Sequence, residues 1–305
     1  MKKNICALGI VTLFFTIGIG VFVVSKGKPF SKVTPSSEAK HLEHSASNNR
    51  AEMLNHNSQV VAIPKQLETP RAAKTEIPAS IQNYLAQPKV LPKMAGLPLV
   101  DAAGEELLIQ KYREIDAITN KAGLIRLMAY TGGDRVFELF ASTLTNELSG
   151  RTISGAEAAI VVFMPELIGI LARKCDPAFE FLKAGLQPGF WKQNATWKTE
   201  AGPDLPRILV GGCIKGLALS GRNDGKEIIH GFRTQRANSY VRAIDSSVVG
   251  SAFILDYINE YGLEGYLDNI ATCDLDVKMK AYVAWTKTSN GVAWRAWRQR
   301  VERSR

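Results

Sequence analysis

Few residues in this chain combine a type and a setting that suggest chemistry. The clearest are the two tryptophans in QPGFWKQNATWKTEAGPDLP, residues 187–206, a stretch that reads as a long irregular insertion between helices. Trp191 and Trp197 are each followed by a lysine, Lys192 and Lys198, so flat apolar rings stand beside cations. Such a pairing suits sugars, peptides or anionic partners, and long loops in folded domains often carry function. The competing reading folds both indoles back over the end of a helix pair. A second cluster closes the chain, where GVAWRAWRQRVERSR puts Trp294, Trp297 and Val301 on one side of a helix with Arg295 and Arg298 among five arginines around it. A basic amphipathic helix can lie on anionic lipid or grip acidic proteins and phosphates. Equally, its tryptophans can close the end of a helical stack while its arginines face water.

Catalytic candidates are sparse. Glu166 sits in the apolar stretch 156–172, where a carboxylate could serve as an acid or base, but it directly follows Pro165 and belongs to a helix's first turn, where the helix dipole favours negative charge. His230 has no Cys, Ser or second His near it in sequence, so it reads as a surface histidine or a satisfied interior one. His41, His44 and His56 lie in a polar, Pro-containing stretch and read as solvated. Cys175, Cys213 and Cys273 show neither metal-ligand nor redox spacing and read as buried small hydrophobes, with one disulfide and a free thiol open if they lie outside the cytosol. No nucleophile elbow, phosphate loop, dinucleotide fingerprint or HExxH helix occurs. The expectation is a protein without metal or cofactor that binds and does not catalyse, and the alternative is a cell-envelope hydrolase working through carboxylates such as Glu166.

The elements that would position these residues are helices, and one pattern returns among them. LIRLMAYTGGDRVFELF, GILARKCDPAFEFLK and KGLALSGRNDGKEIIHGF each join an apolar helix to a second helix through a turn holding Asp134, Asp176 or Asp224. Asp just before a helix accepts bonds from unpaired first-turn N–H groups, while Gly132, Gly133, Gly221 and Pro177 suit the turn. A weaker fourth copy has Gly262 breaking a long helical pattern that restarts at Leu263. Helix pairs returning every 42 to 48 residues resemble the HEAT and armadillo repeat class. That resemblance covers about half the chain and implies an all-α fold of stacked antiparallel helix pairs, an α-solenoid whose concave face binds a partner. Gly211, Gly212 and Gly216 in one helix suit the close approach of neighbouring helices.

Three regions follow. Residues 1–24 contain twenty uncharged residues, Ile5 to Val24, which as a helix would span about 30 Å and cross a bilayer as a signal anchor, or would be removed as a signal peptide. Residues 25–100 hold eight of the thirteen prolines and read as a disordered linker whose last part lies along the folded region or binds a partner. Residues 101–305 form the helical domain. The net charge of +9 is uneven: Glu105 to Val277 carries 18 basic and 22 acidic residues, 18 − 22 = −4, whereas Lys278 to Arg305 carries 8 against 1, 8 − 1 = +7. Together these features predict a membrane-tethered scaffold with an extracytoplasmic domain, or a secreted one if the leader is cut. It would bind a protein or envelope component, its basic tail touching anionic lipid. Nucleic acid is disfavoured by export and by the acidic body.

Overall fold

Apolar residues at helical spacing, interrupted by frequent stop signals, dictate a succession of short helices. The structure, a computed structural model, describes residues 77–304 apart from 89, 91, 201–203 and 272–274, and these residues are mostly helical with almost no strand. The apolar segment 5–24, residues 25–76 with the three histidines, Cys6 and Cys273 lie outside the described residues.

The folded region begins earlier than Asp101. Helix α1 (Ala79–Leu85) buries Ile81, the chain after it buries Met94, and the Asp268 carboxylate accepts the backbone N–H groups of Met94 (2.7 Å) and Ala95 (2.9 Å). Of the two fates open to this Pro-rich stretch, packing along the folded part is the one seen for residues 77–100. Asp101 then caps α2 (Ala102–Glu114), accepting from Gly104 N at 2.8 Å. A 3₁₀ turn (Ile118–Lys121) separates α2 from α3 (Ala122–Thr131).

Three helix pairs follow the recurring turn. They are α3 with α4 (Asp134–Ser142, continued by a π turn over Thr143–Glu147), α6 (Met164–Leu171) with α7 (Asp176–Ala184), and α9 (Leu205–Leu219) with α10 (Asn223–Gly231). Helix α5 (Gly155–Val161) precedes α6 and is opened by a reciprocal capping box between Ser154 and Glu157, so the apolar stretch 156–172 is two helices and not one. Helix α8 (Pro188–Asn194) leads to β2 (Lys198–Thr199), which pairs in parallel with β1 (Thr152–Ile153). Helix α11 (Ser239–Asn269) is capped by Asn238, whose side chain accepts from Val241 N, and breaks at Gly262, whose φ of 76° favours glycine. Helices α12 (Leu275–Trp285) and α13 (Ser289–Arg303) end the chain.

The first helices of successive pairs touch in chain order, α3 on α6, α6 on α9, α9 on α11. Glycine makes the tightest of these contacts: a Cβ on Gly169 would lie 2.2 Å from the Gly216 carbonyl oxygen, and one on Gly212 would meet Pro165. The offset is the same at both points, 216 − 169 = 47 and 212 − 165 = 47, so α6 and α9 run side by side in one direction. A Cβ on Gly211 would meet the Ser247 side chain of α11. Helix α9 therefore has close neighbours on two sides, α6 at backbone distance and α11 through Ser247, and Leu209, Val210, Cys213, Ile214, Leu217 and Ala218 are all fully buried.

Candidate functional site

The three corner aspartates stand inside their helices' first turns, Asp134 and Asp176 as the first helical residue and Asp224 as the second, and no side-chain cap bond forms at those helix starts. Their local contribution is charge at the positive end of the helix dipole. The corners also touch one another. Lys174 Nζ in the second corner donates to the Thr131 carbonyl at the first (3.4 Å), and Arg222 of the third corner pairs with Asp176 of the second. Cys175 is buried, and that burial, with the Asp134 carboxylate beside it, pushes its thiol up to about 12. Neighbouring corners separated by more than forty residues are thus in contact.

In the 187–206 stretch the tryptophans are interior. Trp191 is 0% exposed and donates its indole N–H to the Gly185 carbonyl at 2.7 Å, while Phe181 and Phe190 meet it edge-on. Trp197 is 2% exposed and donates to the Leu144 carbonyl at 2.9 Å. Both indoles cover helix ends, which leaves the exposed Lys192 and Lys198 as the stretch's outward polar residues of the four singled out.

The C-terminal cluster divides in the same way, and there the outward half is larger. Trp294, Trp297 and Val301 are buried, whereas Arg295, Arg300 and Arg303 are exposed on α13. Arg298 is half-buried and engages Asp245 (3.2 Å) and Glu302 (3.1 Å). Folding adds residues that no linear signal flagged. The turn after α10 lays the Arg233 guanidinium over the Trp294 ring at 5.3 Å and brings the exposed Arg236, and Arg242 donates to the Ser304 carbonyl (3.2 Å) at the negative end of α13. His230, exposed, stacks on Trp294 at 6.0 Å. Arg236, Arg295, Arg300 and Arg303 have no ion-pair partner among the described residues.

A second polar group lies where the chain after Gly262 crosses the row of first helices. Tyr130 donates to Glu264 at 2.5 Å, Arg126 donates to the Leu267 carbonyl, and Arg173 stands 4.0 Å from Glu264. Burial lowers Arg126 to about 10 against the pull of Asp268, and Tyr130 is raised to about 12 by burial and by its bond to Glu264. Leu263, Tyr266, Leu267 and Ile270 of this strap are buried. Glu166 is nearby and engaged, accepting from Lys215 at 2.8 Å with both side chains largely buried. Among the described residues no group of three or more His, Cys, Asp or Glu could hold a metal ion, and no helix is long and apolar enough to cross a membrane.

Comparison with family models, with curated proteins and with solved structures finds no match. Glu166, Glu264 and Asp268 are engaged by Lys215, Tyr130 and backbone N–H groups, whereas the buried Glu105 has an Oε2 atom with no hydrogen-bond partner among the described residues. Outward-facing positive charge concentrates on the arginine face of α13.

Proposed function

We propose that the chain is a membrane-tethered scaffold of stacked helix pairs, of the HEAT and armadillo kind, that holds a protein or envelope component outside the cytoplasm and performs no reaction of its own. The observation that carries this reading is the contact between successive corners, Lys174 to Thr131 and Arg222 to Asp176. Helix pairs that bury their apolar sides only against neighbours must repeat such edge contacts along the stack. The strap after Gly262 and the chain around Met94 lie against the row of first helices, which supports the C-terminal end, where α13 presents its arginines, as the surface that meets an anionic envelope component. The twenty-residue apolar leader supplies the tether.

A reporter active only outside the cytoplasm, fused after Arg305, combined with a photo-crosslinking residue at Gln299 on the arginine face, tests both halves. An active reporter and a discrete adduct at Gln299 that is absent when the crosslinker replaces buried Val301 are expected. A reporter active only inside the cell overturns the location, and identical labelling at the two positions overturns the interface.

A further inference from the structure

We infer that the arginine face of α13 and the 232–238 turn docks flat on anionic lipid headgroups of the membrane that holds the apolar leader, by charge and without insertion; this rests on the tethered-scaffold reading above. The face is assembled from two distant segments and fixed in place. Arg233 lies on Trp294, Arg242 holds the end of α13 through Ser304, and Arg298 ties α13 to Asp245 on α11. The guanidiniums left pointing outward are those of Arg236, Arg295, Arg300 and Arg303, and Arg233 flanks them. On a helix of 100° per residue, Arg295, Arg303 and Arg300 fall in that order around the solvent arc opposite Trp294. Among the described residues, the carboxylates that these contacts bring in are Asp245 and Glu302, and Arg298 engages both.

The chemistry of the face selects among partners. Guanidinium forks match phosphate oxygens. A protein interface of the usual kind is anchored by aromatic residues that enter a pocket on the partner, but here Trp294 and Trp297 are 0% and 2% exposed and belong to the core. For the same reason the helix has no aromatic wedge to drive between acyl chains, although basic helices that insert carry one. What remains is a flat cationic plate, and each arginine near an anionic surface strengthens binding about fivefold, so three together contribute on the order of a hundredfold. A domain already tethered to that bilayer meets it at high effective concentration, so modest intrinsic affinity suffices.

The test uses the full chain reconstituted in phosphatidylcholine vesicles and in vesicles with about a third phosphatidylglycerol, enough to give the surface a negative potential. Phenylglyoxal modification of individual arginines is followed by peptide mass spectrometry. Slowing of Arg295, Arg300 and Arg303 by about fivefold or more on the anionic vesicles, reversed by high salt and without a blue shift of indole emission, is expected. In R295Q/R300Q/R303Q the protection of Arg233 and Arg236 should disappear. Equal rates on both vesicles overturn the inference alone, as does equal protection by inorganic phosphate with neutral vesicles. A blue shift of indole emission on the anionic vesicles overturns the non-inserting mode. A chain that floats with neither vesicle overturns the anchor and the inference together.

Discussion

Tryptophan means different things at the two ends of this molecule. Trp191 fills a buried site and donates to the Gly185 carbonyl, whereas the Trp297 indole N–H is buried with no partner among the described residues and the ring is held by packing, including an edge contact with Trp294 at 5.5 Å. Replacement by phenylalanine removes similar volume at both sites but breaks a hydrogen bond only at the first. Trp191→Phe should therefore cost about 1 kcal/mol more than Trp297→Phe, because a buried carbonyl loses its donor; urea unfolding midpoints of the two variants measure the difference. The cysteines give a second prediction at this scale. Cys175 and Cys213 are buried free thiols whose ionisation burial opposes, so neither should react with iodoacetamide at mildly alkaline pH until urea unfolds the chain. Folded Cys175 is raised from 9.0 to about 12, so the stability it contributes is whole below its ordinary value and falls as pH climbs through that window. Tyr130 and Tyr240, each raised to about 12 from 10.0, act in the same direction. Urea unfolding repeated across that range should show stability falling, and a rise would contradict the assignment.

Elements whose stop signals are local were legible in the sequence, and those held by distant partners were not. The break at Gly262 and the positions of the three turns follow from nearest-neighbour chemistry and the structure has them, although the turn aspartates sit inside their helices and form no cap bond there. The glycines of α9 are where the close helix contacts fall. The Ser154–Glu157 capping box was equally local, but the apolar run around it masked a helix start. The restart at Leu263 is marked locally, but nothing local says what the strap lies against, because its bonds join Leu267 to Arg126 across 141 residues and Asp268 to Met94 across 174. The arginine face shows the same division: α13's arginines stand together in sequence, while Arg233 and Arg236 arrive only through folding. The strap yields a prediction of its own. Asp268→Ala leaves the Met94 and Ala95 N–H groups without this acceptor, at about 1–3 kcal/mol. Amide hydrogen exchange should quicken over residues 92–96 and 263–270 while α9, sealed at Gly169 and Gly216, keeps its protection. Uniform quickening would mean that the strap is no separate unit.

At the scale of the whole molecule, the residue at which the folded region begins decides how the protein can be handled. The linker reading places the boundary at residue 100, yet Ile77, Ile81 and Met94 are 8%, 0% and 0% exposed, and Asp268 receives two N–H groups from the same segment. A chain started at Asp101 removes three large apolar side chains from the core and strips the strap of its acceptor contacts. At about 1.5–3 kcal/mol for each buried side chain the loss is roughly 5 kcal/mol or more, comparable with the 5–15 kcal/mol total of an ordinary domain. Such a piece should melt far below one beginning near Lys74 and should tend to aggregate, as circular dichroism melts and light scattering of the two would show. Equal melting temperatures would return residues 77–100 to the tether. The longer start matters for function as well. Tension applied at the N-terminal side of the folded region meets buried Ile77 and Ile81 first, then the Pro88 carbonyl that accepts from Leu124 N–H at 2.9 Å, and only after these the Met94 and Ala95 bonds to Asp268 that lead through the strap to Tyr130 and Arg126.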